Sequence, residues 1–206
     1  MFPGNVSDAA TFAEANPELK IFHNLYDKVD GEGKKISSYS FPPLDNQLKA
    51  IARGNFLACI GTFLSRELYQ KYRFDTFPDL TGGEDWEFWL RVLADNRIGR
   101  IERYNSGIQH HEGRSVNSQN IESMERGLRH MIDKFRRDEH LSSLYEKYLD
   151  RIEANSDLYL CILSNDAKLA KNARIYLRRA FNSDRSVIFS KRFIASLRRT
   201  MINSLL

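Results

Sequence analysis

The first half of the chain alternates between apolar runs typical of strands and shorter segments with helical spacing. Residues 21–26 form an apolar run that leads into a glycine-rich stretch and a second extended piece, which predicts a β-hairpin. Leu44, Leu48 and Ile51 recur at helical spacing and predict a helix that ends at Gly54. This mixture of elements is typical of an α/β domain.

The alternation continues through the next sixty or so residues. Residues 55–65 are mostly apolar and predict a buried strand that runs into a tight turn at Gly61. Ser65 predicts the N-cap of a short helix, and residues 84–95 have the apolar spacing of a longer helix. Residues 97–111 alternate between apolar and polar positions and predict two short strands.

From about residue 119 the pattern changes to helices alone. Segments with helical spacing follow one another to the C-terminus, with breaks near Asp138, Asn165 and Asn182. We therefore predict a division into residues 1–118, an α/β part, and residues 119–206, a helical extension.

Composition narrows the class of protein. The chain has 206 residues. Its two cysteines, Cys59 and Cys161, match no metal or redox spacing. A disulfide framework is therefore not expected, and a reducing compartment is favoured. The N-terminal residues lack the basic and apolar regions of a signal peptide, and no run of about 18 apolar residues predicts a membrane span. These features predict a cytoplasmic location.

The positive charge is concentrated near the C-terminus. From Lys171 onward there are nine basic residues and one acid, Asp184. The last helical segment, residues 186–206, is amphipathic and basic, so it is suited to lie on an anionic membrane surface. The alternative is a helix packed on its neighbours with a solvated basic face. No DNA- or RNA-binding module surrounds these basic residues, so no nucleic acid partner is expected.

Two adjacent acids, Glu84 and Asp85, follow the pair Gly82-Gly83 and precede an aromatic helical run. Acids at a helix N-terminus are stabilised by the unsatisfied N–H groups and the helix dipole, which is sufficient reason for the pair. The alternative is that one carboxylate acts as a general base whose pKa the other tunes. The two acids by themselves leave both interpretations open.

The order of elements around this acid pair resembles the C-terminal part of a family 2 glycosyltransferase of the GT-A fold. In that family a glycine-containing apolar segment precedes a short helix, and an acidic pair opens the next helix. A tyrosine-containing strand and a histidine in an "HxGxS"-like setting follow. The matching positions here are Gly61 with Thr62, the sequence Glu84-Asp85-Trp86, and His111 within "HEGRS". The resemblance covers roughly residues 16–118.

The resemblance implies a role for each matching residue. Asp85 would be the general base that deprotonates the acceptor hydroxyl, and Glu84 would be its neighbour. Gly61 and Thr62 would border acceptor and donor. Trp86 would offer an apolar face to a sugar ring, although a core aromatic is an equally good interpretation.

The last matching residue is a candidate metal ligand. His111 would approach the metal and the diphosphate, whereas the ordinary alternative is a structural histidine on a strand.

The resemblance also implies a substrate class and a cofactor. The donor would be a nucleotide-activated sugar and the acceptor a glycan or lipid-linked glycan, joined with inversion in the assembly of a surface polysaccharide. Mg²⁺ or Mn²⁺ would hold the diphosphate, yet the Asp-x-Asp or Asp-Asp motif that binds it in this family is missing.

We therefore expect that the chain is inactive alone or belongs to a longer polypeptide. Two other classes of protein stay open: a non-catalytic interaction module and a basic peripheral membrane protein.

Overall fold

The structure is a computed structural model that describes residues 1–109 and 120–204. Its fold class is mixed α/β, as predicted. The strands and helices, in chain order, are α1 (Asn5–Ala15), β1 (Ile21–Val29), β2 (Lys35–Ser38), α2 (Gln47–Ala52), β3 (Thr62–Leu64), α3 (Arg66–Lys71), α4 (Glu84–Asp95), β4 (Ile98–Gln109), α5 (Ile121–Arg137), α6 (Glu139–Tyr145), α7 (Leu149–Asp166), α8 (Ala170–Ser183) and α9 (Lys191–Asn203).

The chain forms two compact units. The sheet unit comprises Met1–Ile51, Asn55–Asp75 and the described part of 84–118, and the helical unit comprises Ala52–Gly54, Thr76–Gly83 and the described part of 119–206. Two short segments from the first half of the sequence therefore belong to the helical unit. A single boundary after residue 118 does not describe this arrangement.

Strand β1 is the centre of a four-stranded sheet. It pairs in parallel with β4 along its whole length, so β2 and β3, both antiparallel to β1, occupy opposite ends of its other edge. The pairing of Asp27 with Ser38 confirms the predicted β1–β2 hairpin. In its turn, the Asp30 carboxylate accepts hydrogen bonds from the backbone N–H groups of Glu32 and Lys34.

Two strand predictions were wrong. Ile98–Gln109 form the single strand β4 rather than two strands, because the pairing with β1 continues beyond the register shift between Asn24 and Tyr26. Residues 55–65 do not form one buried strand. A 3₁₀ turn, Cys59–Gly61, precedes the three-residue β3. Phe56 and Leu57 before the turn are buried outside any strand, whereas Ile60 within it is exposed.

The predicted helices of the sheet unit are present. Ser65 caps α3 by accepting a hydrogen bond from the Leu68 N–H at 3.3 Å. In α4, the fully buried Glu87 forms a bidentate pair with Arg91, with N–O distances of 2.6 and 2.8 Å. Glu87 is thus a structural acid, because a buried carboxylate needs such a partner.

The side chain of Gln47 in α2 joins the end of α4 to the start of β4. Its amide nitrogen donates to the carbonyl oxygens of Leu93 and Asn96, both at 2.7 Å, and its oxygen accepts from the Ile98 N–H at 3.0 Å. One side chain therefore satisfies backbone groups that the helix end and the strand start leave open.

The described part of 119–206 is helical, as predicted. Asn120 caps α5, and Gly127 on that helix lies so close to the backbone of Asp79 that a Cβ would stand 2.0 Å from its carbonyl oxygen. Arg129 forms ion pairs with Glu153, at 3.0 Å, and with the buried Asp157 on α7. Within the described residues, no helix combines the length and the apolar character needed to cross a membrane.

Candidate active site around Asp85

Asp85 lies in the first turn of α4. The turn before the helix contains Gly82 at φ 89°, a left-handed conformation that glycine adopts without strain. One carboxylate oxygen of Asp85 accepts the Trp86 N–H at 2.7 Å. The side chain of Asn55 also donates to the carboxylate, and its own oxygen accepts from the Leu57 N–H at 3.0 Å. The carboxylate therefore accepts hydrogen bonds from its own helix and from the segment before β3.

The environment raises the pKa of Asp85 from 3.8 to about 6. Burial is the main cause because it disfavours the charged form, and the neighbouring charge of Glu84 adds to the effect. The hydrogen bonds from the backbone and from Asn55 act in the opposite direction without cancelling it. A carboxylate with this pKa is ionised near neutrality and is a stronger base than an exposed aspartate.

The charge of Asp85 contributes to the raised pKa of two further side chains. The pKa of the Tyr26 hydroxyl is raised by burial and then by the electrostatic effects of Tyr39 and Asp85, and this hydroxyl donates to the Phe56 carbonyl at 3.0 Å. The pKa of the Cys59 thiol is raised by desolvation and then by Asp85 and Glu84. Neither residue was a candidate in the sequence, because their separation along the chain hides their proximity to α4.

Trp86 is a core residue. Its side chain is 7% exposed, and its indole N–H donates to the Ile51 carbonyl at 2.8 Å. A ring buried to this degree has little face to offer a sugar, which favours the interpretation of Trp86 as a core aromatic.

Gly61 and Thr62 both contact other groups of the sheet unit. A Cβ on Gly61 would stand 2.3 Å from the Asn24 side-chain oxygen and 2.9 Å from the Ser106 hydroxyl oxygen, so the close approach that requires glycine is to the sheet. The Thr62 hydroxyl donates to the Ala58 carbonyl at 2.9 Å. These contacts give Gly61 and Thr62 structural roles, and their part in binding substrate stays a prediction.

Gly61 borders a buried polar network that the sequence analysis did not identify. Ser106 donates to Asn24 at 3.0 Å, Asn24 donates to Asn5 at 3.2 Å, and Asn5 donates to the carbonyl of Asn105 at 2.9 Å. A signal was present in the sequence, since His23 and Asn24 are polar residues inside an otherwise apolar buried run.

His111, the predicted metal ligand, lies outside the described residues. Across residues 1–109 and 120–204, no three His, Cys, Asp or Glu side chains come together so that they could hold a metal ion. The Mg²⁺ or Mn²⁺ ion that the resemblance implies therefore stays a prediction.

Comparison of the sequence with models of known protein families found no match, and comparison with curated proteins found none either. The functional interpretation of the candidate site therefore depends on its geometry alone.

Proposed function

We propose that this chain supplies the acceptor-side part of an inverting glycosyltransferase with a GT-A-like fold, in which Asp85 is the general base. The observation that carries the proposal is the Asp85 carboxylate itself: it is partly buried at the start of α4, held by Trp86 and Asn55, and made more basic by burial and by Glu84. A base with a pKa near the working pH is the type that activates a hydroxyl.

The proposed step moves one proton and exchanges one bond. Asp85 removes the proton from an acceptor hydroxyl while the oxygen attacks the anomeric carbon of a nucleotide-activated sugar. The bond from that carbon to the diphosphate oxygen breaks, and the nucleoside diphosphate leaves with the electron pair from the opposite face. The acceptor is a glycan or lipid-linked glycan, and the proposed location is cytoplasmic.

The test replaces Asp85 by Asn in the gene of the source cells and measures the length and amount of surface polysaccharide. This design works for the native protein whatever its full length. Loss of polymer with normal protein abundance supports a general base. Glu67→Gln is the matched control, because Glu67 is an exposed acid of the sheet unit that pairs with Lys20. Unchanged polymer in cells carrying Asp85→Asn would overturn the proposal.

A second candidate function, attachment to an anionic membrane surface, is favoured by the outer face of α9. Ile194 and Met201 are 57% and 62% exposed, and Lys191 and Arg198 lie on the same helix. Apolar side chains exposed beside basic ones suit an interfacial helix. Replacing Ile194 and Met201 by Ser should abolish binding to anionic vesicles while the fold is kept; retained binding would exclude this candidate.

A further inference from the structure

The helical unit contains a cavity of about 470 Å³ whose charged lining consists of arginines. Arg53, Arg151 and Arg192 line it together with polar residues and one aromatic, namely Asn155, Ser186, Ser190 and Phe189. No acidic side chain is among these described lining residues. A concave surface with this composition has a positive potential, since low-dielectric walls concentrate the field of the cations.

One of the three arginines is neutralised by an acid. Arg151 pairs with Asp184 and donates to Ser186. The same Asp184 carboxylate accepts from the backbone N–H and the hydroxyl of Ser186, at 2.8 and 2.6 Å. Arg151 therefore has a structural role that fixes one wall of the cavity.

The other two arginines have no such partner. Neither Arg53 nor Arg192 forms an ion pair with an acid in the described part of the chain. The Arg192 guanidinium lies against Gly54, where a Cβ would stand 3.0 Å from its Nη1 atom. Glycine at this position thus leaves room for the guanidinium. Two cations that share a cavity repel each other unless an anion lies between them.

The start of α9 adds hydrogen-bond donors at the same place. Ser190 is the N-cap of this 13-residue helix and accepts from the Phe193 N–H at 3.1 Å. The N–H groups of the first helical turn have no carbonyl acceptor within the helix, and the helix dipole favours negative charge there. The helix start therefore favours negative charge at the same place as the arginines.

We propose that this cavity binds a phosphate-bearing anion, with Arg53 and Arg192 as its cationic ligands. A guanidinium donates two parallel hydrogen bonds to phosphate oxygens, and two guanidinium groups balance a dianion. Phe189 lines the same cavity with 83% of its surface exposed, so it is available to contact the apolar or aromatic group that carries the phosphate. The proposal does not depend on glycosyl transfer.

The phosphate group can come from a soluble molecule or from a lipid headgroup, and two probes separate these sources. Inorganic pyrophosphate tests a soluble ligand by isothermal titration calorimetry. Vesicles of phosphatidylcholine with and without phosphatidic acid test the headgroup by co-sedimentation. Both use the full 206-residue chain.

The variant for both probes is Arg53→Gln with Arg192→Gln. The matched control is Arg174→Gln with Arg178→Gln, which removes the same charge from a different cavity of the same unit, the groove lined by residues of α8 and α9. Thermal unfolding of each variant checks that the fold is kept. We expect the cavity variant to bind its probe about tenfold more weakly or worse, and the control to stay within about twofold of the original chain.

Each outcome decides the proposal. Saturable pyrophosphate binding that the cavity variant loses supports a soluble phosphate ligand. Binding to phosphatidic acid vesicles alone, lost in the cavity variant and kept in the control, supports a headgroup. The proposal is overturned if neither probe binds, or if the cavity variant and the control weaken binding equally.

Discussion

Arg100 donates through its Nε atom to the Nε2 atom of His23 at 3.1 Å, across the parallel pair of β4 and β1. The His23 Nδ1 atom donates to the Asn24 carbonyl at 2.9 Å. The imidazole is therefore neutral, with its proton on Nδ1. Burial is the main reason that its pKa falls from 6.5 to about 4, and the charge of Arg100 lowers it further.

This pair predicts the titration of one histidine among five. His23 should titrate near pH 4 and carry its proton on Nδ1 at neutral pH, because charging it would bury a cation beside Arg100. Long-range ¹H–¹⁵N NMR measures both properties, and the His23→Gln variant assigns the signal. A midpoint near the ordinary value of 6.5 would contradict the geometry.

Protonation of His23 also affects the free energy of unfolding. Its folded pKa is below its unfolded value, so the stability that it contributes is complete above pH 6.5 and falls as the pH drops towards about 4. Asp85 has the opposite sign in the same range, since its folded pKa lies above its unfolded value. The two effects partly cancel in the unmodified chain, so single variants are needed to observe either one.

Replacing Asp85 by Asn should stabilise the protein at about pH 8, by roughly 1 to 3 kcal/mol, because the variant removes a charge that burial disfavours. The gain should disappear below about pH 4, where the original carboxylate is protonated in both states. Urea unfolding at the two pH values measures the difference.

The surface variant Glu67→Gln should change the free energy of unfolding by less than about 0.5 kcal/mol at either pH. Destabilisation by Asp85→Asn at the higher pH would instead support the interpretation of the acid pair as a helix cap, which the sequence leaves open.

The reactivity of Cys59 reports how near the acid pair lies. Burial is the main cause of the raised pKa of its thiol, and the charges of Asp85 and Glu84 raise this pKa further. The variant Asp85→Asn should therefore speed alkylation of Cys59 by iodoacetamide by about twofold to fivefold at neutral pH. Mass spectrometry after timed quenching gives the rate. The buried Cys161 is an internal control and should stay unreactive in both proteins. An unchanged rate at Cys59 would show that the carboxylate does not influence the thiol.

Gly61→Ala should destabilise the sheet unit by about 1 to 3 kcal/mol, because the added Cβ would stand 2.3 Å from the Asn24 side-chain oxygen and disturb the hydrogen bond from Ser106. Gly31→Ala is the control, since a Cβ there would meet its nearest neighbour, Gln109, at 3.8 Å. Chemical denaturation measures both. Equal stability of the two variants would mean that the close packing at Gly61 has no energetic importance.

Gly127→Ala should destabilise the protein, although replacing glycine by alanine within a helix usually stabilises it. Alanine in an exposed helix position is more stable than glycine by about 1 kcal/mol. At position 127 the Cβ would stand 2.0 Å from the backbone oxygen of Asp79, so we expect a loss of about 2 kcal/mol or more in the free energy of unfolding. Asn172→Ala, in the first turns of α8, serves as a helix control. A stabilising effect of Gly127→Ala would contradict the contact.

The sequence by itself determined the elements whose signals are local. Asp30 and the glycines after it predict the hairpin turn, the hydroxyl of Ser65 predicts a helix start, and the spacing of apolar residues predicts α4 and the helices after residue 119. These signals depend on residues that lie close together in the sequence, so the sequence pattern alone is sufficient to predict the elements.

The tertiary structure alone decided which side chains share an environment. The irregular register that makes β4 one strand depends on β1, more than seventy residues earlier. The burial that raises the pKa of Asp85 and the arginines that meet around one cavity depend on segments far apart in the sequence. Burial and electrostatic interaction depend on distance in space, and no local pattern of residues encodes that distance.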